Sequence, residues 1–293
     1  MKNFIVIILS LFAILSYSQS KLKYNRAHVI FPGCQDAEDV SDCYDTKVLQ
    51  FIDTSLTDEV NSKLIQYSKK DTLKIYTRIY FDETGTVLQK LSNISASVDS
   101  LKNELNYLIA KFPKVAPVLD ETNKGVAEYK SSVFGFTIDR ALNTLSPIEN
   151  YQPEEVPFSI IEKVPIYLGC EKDLLGDEAR KCMNDKLRIH IGKHFRSELA
   201  NSLDLDAGIH RIFVFFKINK EGEITSIKAR APHPALEREA IRIMSLVPKL
   251  SAPGIQRGKP VIVPFYIPIS FMIEDAHKLS KKEVRRLKRK KRN

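Results

Sequence analysis

The residues best equipped for chemistry are four cysteines, Cys34, Cys43, Cys170 and Cys182, and a histidine pair, His190 and His194. Cysteine can be a disulfide partner, a metal ligand or a nucleophile, and four of them allow three disulfide pairings. His190 and His194 stand one helical turn apart, where a helix with a carboxylate or thiolate nearby could hold zinc. The Glu of the metalloprotease helix motif is missing, because Gly192 and Lys193 lie between them, and the pair reads first as solvated helix surface. Zinc bound there defines the rival reading, a secreted metal-dependent hydrolase. No Gly-x-Ser-x-Gly elbow, Gly-rich phosphate loop or close carboxylate pair is present. The sequence thus names no catalytic residue, metal or cofactor, and reads as non-enzymatic. His233, between Pro232 and Pro234, is the most conspicuous remaining polar residue. Its two readings are a shaper of a strand-to-helix turn and a contact for a partner.

The elements that must position these residues are clearest over residues 211–273. Ile212, Val214, Phe216 and Ile218 alternate, and Asn219-Lys220-Glu221-Gly222 supplies the turn of a hairpin whose return strand runs over 224–230. Pro232 and Pro234 end that strand, and Leu236, Ala240, Ile243 and Val247 recur at helical spacing up to Pro248. From Val261 to Ile273 every odd position is apolar, while Pro260, Pro264 and Pro268 share the even ones. N–H groups alternate sides along a strand, so the three missing donors fall on one edge, and this is predicted to be an edge strand. A helix is expected over 185–203, with Leu187, Ile191, Phe195, Leu199 and Leu203 inward; another is expected over 47–68, with Leu49, Ile52, Leu56, Val60, Leu64 and Tyr67 inward.

The chain reads as carrying this pattern twice. Ile30-Phe31-Pro32-Gly33-Cys34 matches Ile166-Tyr167-Leu168-Gly169-Cys170, and Ile75, Thr77, Ile79 and Phe81 alternate before Asp82-Glu83-Thr84-Gly85 as the later strand does before its own turn. Phe112-Pro113 and residues 134–139 extend the match at an offset of about 135 to 139 residues. The repeat argues for Cys34 with Cys43 and Cys170 with Cys182, in an oxidising compartment. Residues 1–18 have a basic start, a short apolar run and small residues at a cleavage position, as in a secretory signal. The expected organisation is a signal at 1–18, a degenerate first domain at 21–139, an extended linker at 140–162, a second domain at 163–274 and a basic tail at 275–293. The fold class is α+β: two tandem domains, each a small antiparallel three-stranded sheet packed against two helices.

Residues 163–274, with the Tyr167-Leu168-Gly169-Cys170-Glu171 approach, the Arg211–Ile224 hairpin, Leu236-Glu-Arg-Glu-Ala-Ile-Arg, Gly258-Lys-Pro-Val and Pro268-Ile-Ser-Phe, resemble the C-terminal domain of TonB, and more closely the TonB-C-like domains of Bacteroidetes envelope proteins. The resemblance implies a periplasmic or secreted location and an interaction or adaptor role, associated with TonB-dependent transport across the outer membrane, in which a strand pairs with a peptide segment of an outer-membrane receptor. The prolines blunt the second domain's edge, so the expected contacts fall on the first domain's last strand, at Val133, Phe134, Phe136 and Thr137, with His233 as a further contact. The tail holds Lys281, Lys282, Arg285, Arg286, Lys288, Arg289, Lys290, Lys291 and Arg292 and, over 277–293, ten Lys or Arg against one acid. Its charge equals the +9 of the whole chain. Such a cluster suits an anionic surface, lipid headgroups or lipopolysaccharide, and makes the protein a structural envelope component on a third reading. Nucleic acid is excluded as a partner by the signal and by the lack of interleaved aromatics.

Overall fold

The structure, a computed structural model of the protein, describes residues 24–101, 103–171, 176–203 and 205–273. The signal-like segment and every tail residue named above lie outside these. In chain order the elements are β1 (Tyr24–Arg26), α1 (Val40–Ser55), α2 (Asp58–Tyr67), β2 (Thr72–Phe81), β3 (Asn93–Ala96), β4 (Val118–Asp120), β5 (Gly125–Val126), β6 (Glu128–Asp139) and β7 (Thr144–Ile148). There follow α3 (Gly176–His194), α4 (Ser197–Asn201), β8 (Gly208–Ile218), β9 (Ile224–Arg230), α5 (Pro234–Ser245), β10 (Gly254–Gln256), β11 (Lys259–Val261) and β12 (Val263–Ile273). The fold is mixed α+β, with small antiparallel sheets ordered β3-β2-β6-β7 and β12-β8-β9, a minor sheet β1-β4-β5 and a β10-β11 hairpin.

Period-two alternation decides which face of each sheet is dry. On β8, Ile212, Val214, Phe216 and Ile218 are fully buried; on β2 the same holds for Leu73, Ile75 and Ile79. The buried apolar residues form two clusters, one drawn from residues 29–136 and one from residues 133–269. The two hairpins turn in the same way. Gly85 (φ 81°) donates to the Asp82 carbonyl at 2.9 Å and Gly222 (φ 83°) to the Asn219 carbonyl at 3.0 Å. The Asp82 and Asn219 side chains each accept two further backbone N–H groups, at 2.9 Å and at 2.8 to 3.1 Å respectively. A Cβ on Gly85 would lie 1.9 Å from the Val115 carbonyl oxygen, so glycine is needed there both for φ and for space.

Cys34 is bonded to Cys43 and Cys170 to Cys182, each pairing an incoming loop with the helix that follows it. With loops of 9 and 12 residues, each bridge is expected to contribute roughly 2 to 3 kcal/mol by restricting the unfolded chain. Serine at both Cys170 and Cys182 should lower the thermal midpoint accordingly; an unchanged midpoint under oxidising conditions contradicts this.

Several expectations are corrected. The helix expected over 47–68 is two helices, because Leu56 is extended (ψ 132°) and the Thr57 hydroxyl caps the second by accepting from Val60 N–H; Tyr67, expected inward, is 53% exposed. The helix expected from 185 begins at Gly176 and ends at His194, before the separate α4. The first sheet has four strands, not three. Between β3 and β6 the chain forms short 3-10 turns (Asp99–Leu101 and Asn106–Lys111) where α5 stands in the second half, and the Asn106 side chain accepts from Ile94 N–H at 3.0 Å, a local bond that competes with helix. Residues 140–162 are packed rather than a free linker. They supply β7, Val156 and Ile161 are fully buried, and Val156 N–H donates to the Ile262 carbonyl at 3.0 Å.

Candidate functional site

The first sheet shows why the predicted peptide-binding strand is unavailable. β6 lies inside its sheet, paired along its length with β2 and over residues 135–139 with β7, so Thr137 faces Thr72 on one side and Ser146 on the other. Phe134 and Phe136 are buried in the first cluster and Val133 in the second. As the last strand of its repeat, with no proline, β6 is expected at an edge that keeps all its donors; instead residues 144–148 add a further strand outside it. Pro147 then falls on the new edge.

The histidines are likewise structural. His190 is buried, with Nε2 3.0 Å from the Ile243 carbonyl oxygen, and its ring lies 4.5 Å from that of His194. The expectation of solvated surface for this pair is corrected for His190: with Ile191 and Leu187 it faces α5. Burial, and after it the neighbouring His190, Lys193 and Arg242, push the His194 imidazole down, and among the described residues no third His, Cys, Asp or Glu joins the pair. His233 caps α5, its Nδ1 accepting from Ala235 N–H at 3.1 Å. Its turn-shaping role is thus seen directly.

What sequence reasoning missed is the seam between the halves. Asp45 on α1 is buried; Ser132 Oγ donates to its Oδ1 at 2.5 Å, and Arg257 Nε approaches Oδ2 at 3.3 Å from the β10-β11 turn. Arg257 holds φ 49°, a left-handed conformation rare outside glycine, while its N–H donates to Glu162 at 2.9 Å and its guanidinium lies 6.0 Å from the Phe134 ring centroid. Burial pushes the Asp45 carboxyl up, and Lys130 and Arg257 oppose that shift. Farther along, Arg78 bonds Asp177 at 2.8 Å and the Ser159 carbonyl at 2.9 Å, and Tyr151 lies against Gly135 so closely that a Cβ there would meet its ring at 2.4 Å. Burial pushes the Tyr76 hydroxyl on the same face up to about 12. A cleft of about 150 Å³ opens at this seam beside Tyr44, Lys130, Ser131 and Glu162. The Tyr44 hydroxyl and Ser131 Oγ are buried there with no protein partner among the described residues.

One face of the first sheet is therefore covered by the second half. The corresponding face of the second sheet is open. There Phe213 is 40% and Tyr266 58% exposed, their rings stacked at 5.9 Å and 16°, and Ile209 and Met272, opposite one another in the β8-β12 register, are 69% and 65% exposed.

The chain matches no protein-family model, no curated protein and no solved structure. The geometry thus carries the functional reading. Two disulfides fit an oxidising, extracytoplasmic compartment. Among the described residues no helix is long and apolar enough to cross a membrane.

Proposed function

We propose that the protein is a non-enzymatic periplasmic interaction or adaptor protein built from two tandem TonB-C-like modules, exported by its N-terminal signal and associated with TonB-dependent transport. The observation that carries this reading is the recurrence of one arrangement in both halves. A Gly-Cys turn, with Cys34 N–H donating to the Phe31 carbonyl and Cys170 N–H to the Tyr167 carbonyl, both at 3.0 Å, leads to a disulfide-tied helix. A hairpin then follows, and a last strand pairs beside its first, in the orders β3-β2-β6 and β9-β8-β12. This supports duplication of a small docking module better than it supports a site for bond-making.

If such a module captures an extended peptide, the available edge is β9. The outer side of β12 lacks donors at Pro264 and Pro268, whereas among the described residues β9 pairs only with β8. The bulge at Ser226 (φ 52°) limits the pairing stretch to residues 227–230. A photocrosslinking residue at Ser226 should trap an envelope protein in intact cells, while the same group at Arg188, on the exposed side of α3, should not. No adduct, or equal adducts from both positions, refutes the edge assignment.

A further inference from the structure

We infer that the open face of β8 and β12 docks onto an anionic phospholipid bilayer, acting together with the basic tail. Successive outward residues on β8 are Ile209, Arg211, Phe213 and Phe215; opposite them in register on β12 stand Met272, Ser270, Pro268 and Tyr266. Arg230 and Lys228 on β9 stand opposite Phe213 and Phe215. Apolar and aromatic groups thus fill most of the face, Arg211 and Ser270 stand between its two apolar parts, and Lys228 and Arg230 line its β9 border. Arg211, Lys228 and Arg230 are all exposed, and none forms an ion pair with a carboxylate among the described residues. A cluster of exposed apolar and aromatic groups of this kind on one sheet face calls for a counterpart.

Three observations choose the counterpart. The surface is a sheet face with side chains projecting from it, not a groove, which suits a planar surface better than a single peptide. Its free charges are all positive, so a second copy of the chain placed face to face would set like charges together. The basic tail, residues 277–293, begins after Glu274, Asp275 and Ala276, which follow β12, whose last residue Ile273 pairs with Gly208 beside Ile209 and Met272. The tail is thereby disqualified as the occupant of a face with its own sign of charge, and its net positive charge favours the same anionic counterpart. A tyrosine with a wet hydroxyl and an apolar ring is suited to the headgroup boundary, and clustered Lys and Arg are drawn to anionic lipid. Either contribution alone gives marginal binding; in one molecule the second contact is intramolecular and the two reinforce each other. This inference is independent of peptide capture at β9.

The chain contains no tryptophan, so one introduced indole reports its own surroundings. In the full mature chain, Phe213→Trp should shift its emission to shorter wavelength on adding phosphatidylglycerol vesicles and not phosphatidylcholine vesicles, while Tyr67→Trp on α2 should not shift. With the tail intact, Phe213→Ser combined with Met272→Ser should weaken co-sedimentation with phosphatidylglycerol vesicles by roughly 10-fold, and Arg211→Glu with Arg230→Glu should weaken it further at low salt than at high salt. Co-sedimentation without an emission change at position 213 assigns membrane binding to the tail alone and overturns the inference. So does failure to sediment, or an emission change that follows protein concentration without lipid, which marks self-association.

Discussion

Arg257→Ala is expected to destabilise the protein by about 3 kcal/mol, although Arg257 lies in a two-residue turn and touches no part of the open face. Its guanidinium is mostly buried and stands 3.3 Å from the buried Asp45 carboxylate, joining the β10-β11 turn to α1 across the seam. Removing one member of such a pair leaves the other charge out of water without its counter-ion, and that penalty exceeds what the pair itself contributes. The estimate stays at the low end because Ser132 and Lys130 remain around Asp45. The left-handed backbone at Arg257 gives an internal control. Arg257→Gly loses the same charge but relieves about 1 kcal/mol of strain, so it should unfold at higher urea than Arg257→Ala. Equal midpoints for the two variants and the wild type rule out this account.

The same pair predicts a pH dependence. Burial raises the Asp45 carboxyl above its ordinary value, so the folded protein keeps that proton to a higher pH than the unfolded chain does. Stability linked to Asp45 is then greatest at acidic pH, falls as pH rises from about 4, near the unfolded value, through the folded value, and stays reduced above it. Arg257 holds the carboxyl down, so its removal moves the folded value further up and enlarges the loss. Arg257→Ala should therefore differ from the wild type more at pH 8 than at pH 4.

The second half was the more legible in sequence because each of its elements obeys a local rule. Alternation marks β8 and β12, Gly222 permits the turn, the paired prolines about His233 start α5, and Pro264 and Pro268 correctly mark an outer strand. The repeated Gly-Cys turns led to the cysteine pairs seen in the structure. The sequence is silent where long-range pairing decides the outcome. Residues 144–148 look like a linker because Pro147 and Ser146 are poor strand formers, yet they add to β6 because its 135–139 stretch would otherwise leave backbone groups unpaired. The seam left no periodic signal, since Asp45, Ser132 and Arg257 are distant in sequence and each is ordinary in its own segment. Gly258 in the sequence permits a tight turn beside Arg257, but nothing there says that Arg257 itself takes a left-handed conformation or what it contacts.

Phe134 and Phe213 test the distinction between a core and a docking face most directly, since both are phenylalanines on long strands of equivalent sheets. Phe134→Ala should destabilise by about 3 to 5 kcal/mol, the cost of emptying a packed aromatic site. Its ring is only 1% exposed, lies in the first cluster and stands beneath the Arg257 guanidinium. Phe213→Ala should change stability by less than about 1 kcal/mol, because the ring is 40% exposed and meets chiefly Tyr266. Urea titration of both variants reads the contrast. Comparable losses would mean that the open face is packed in solution, so it could not present Phe213 to a lipid surface. A tolerated Phe134→Ala would instead mean that this part of the first cluster is not tightly packed. The large separation expected between the two follows from the faces they occupy: Phe134 stands opposite Ile75 on the inner face of the first sheet, within the first cluster, whereas Phe213 stands on the bare outer face of the second.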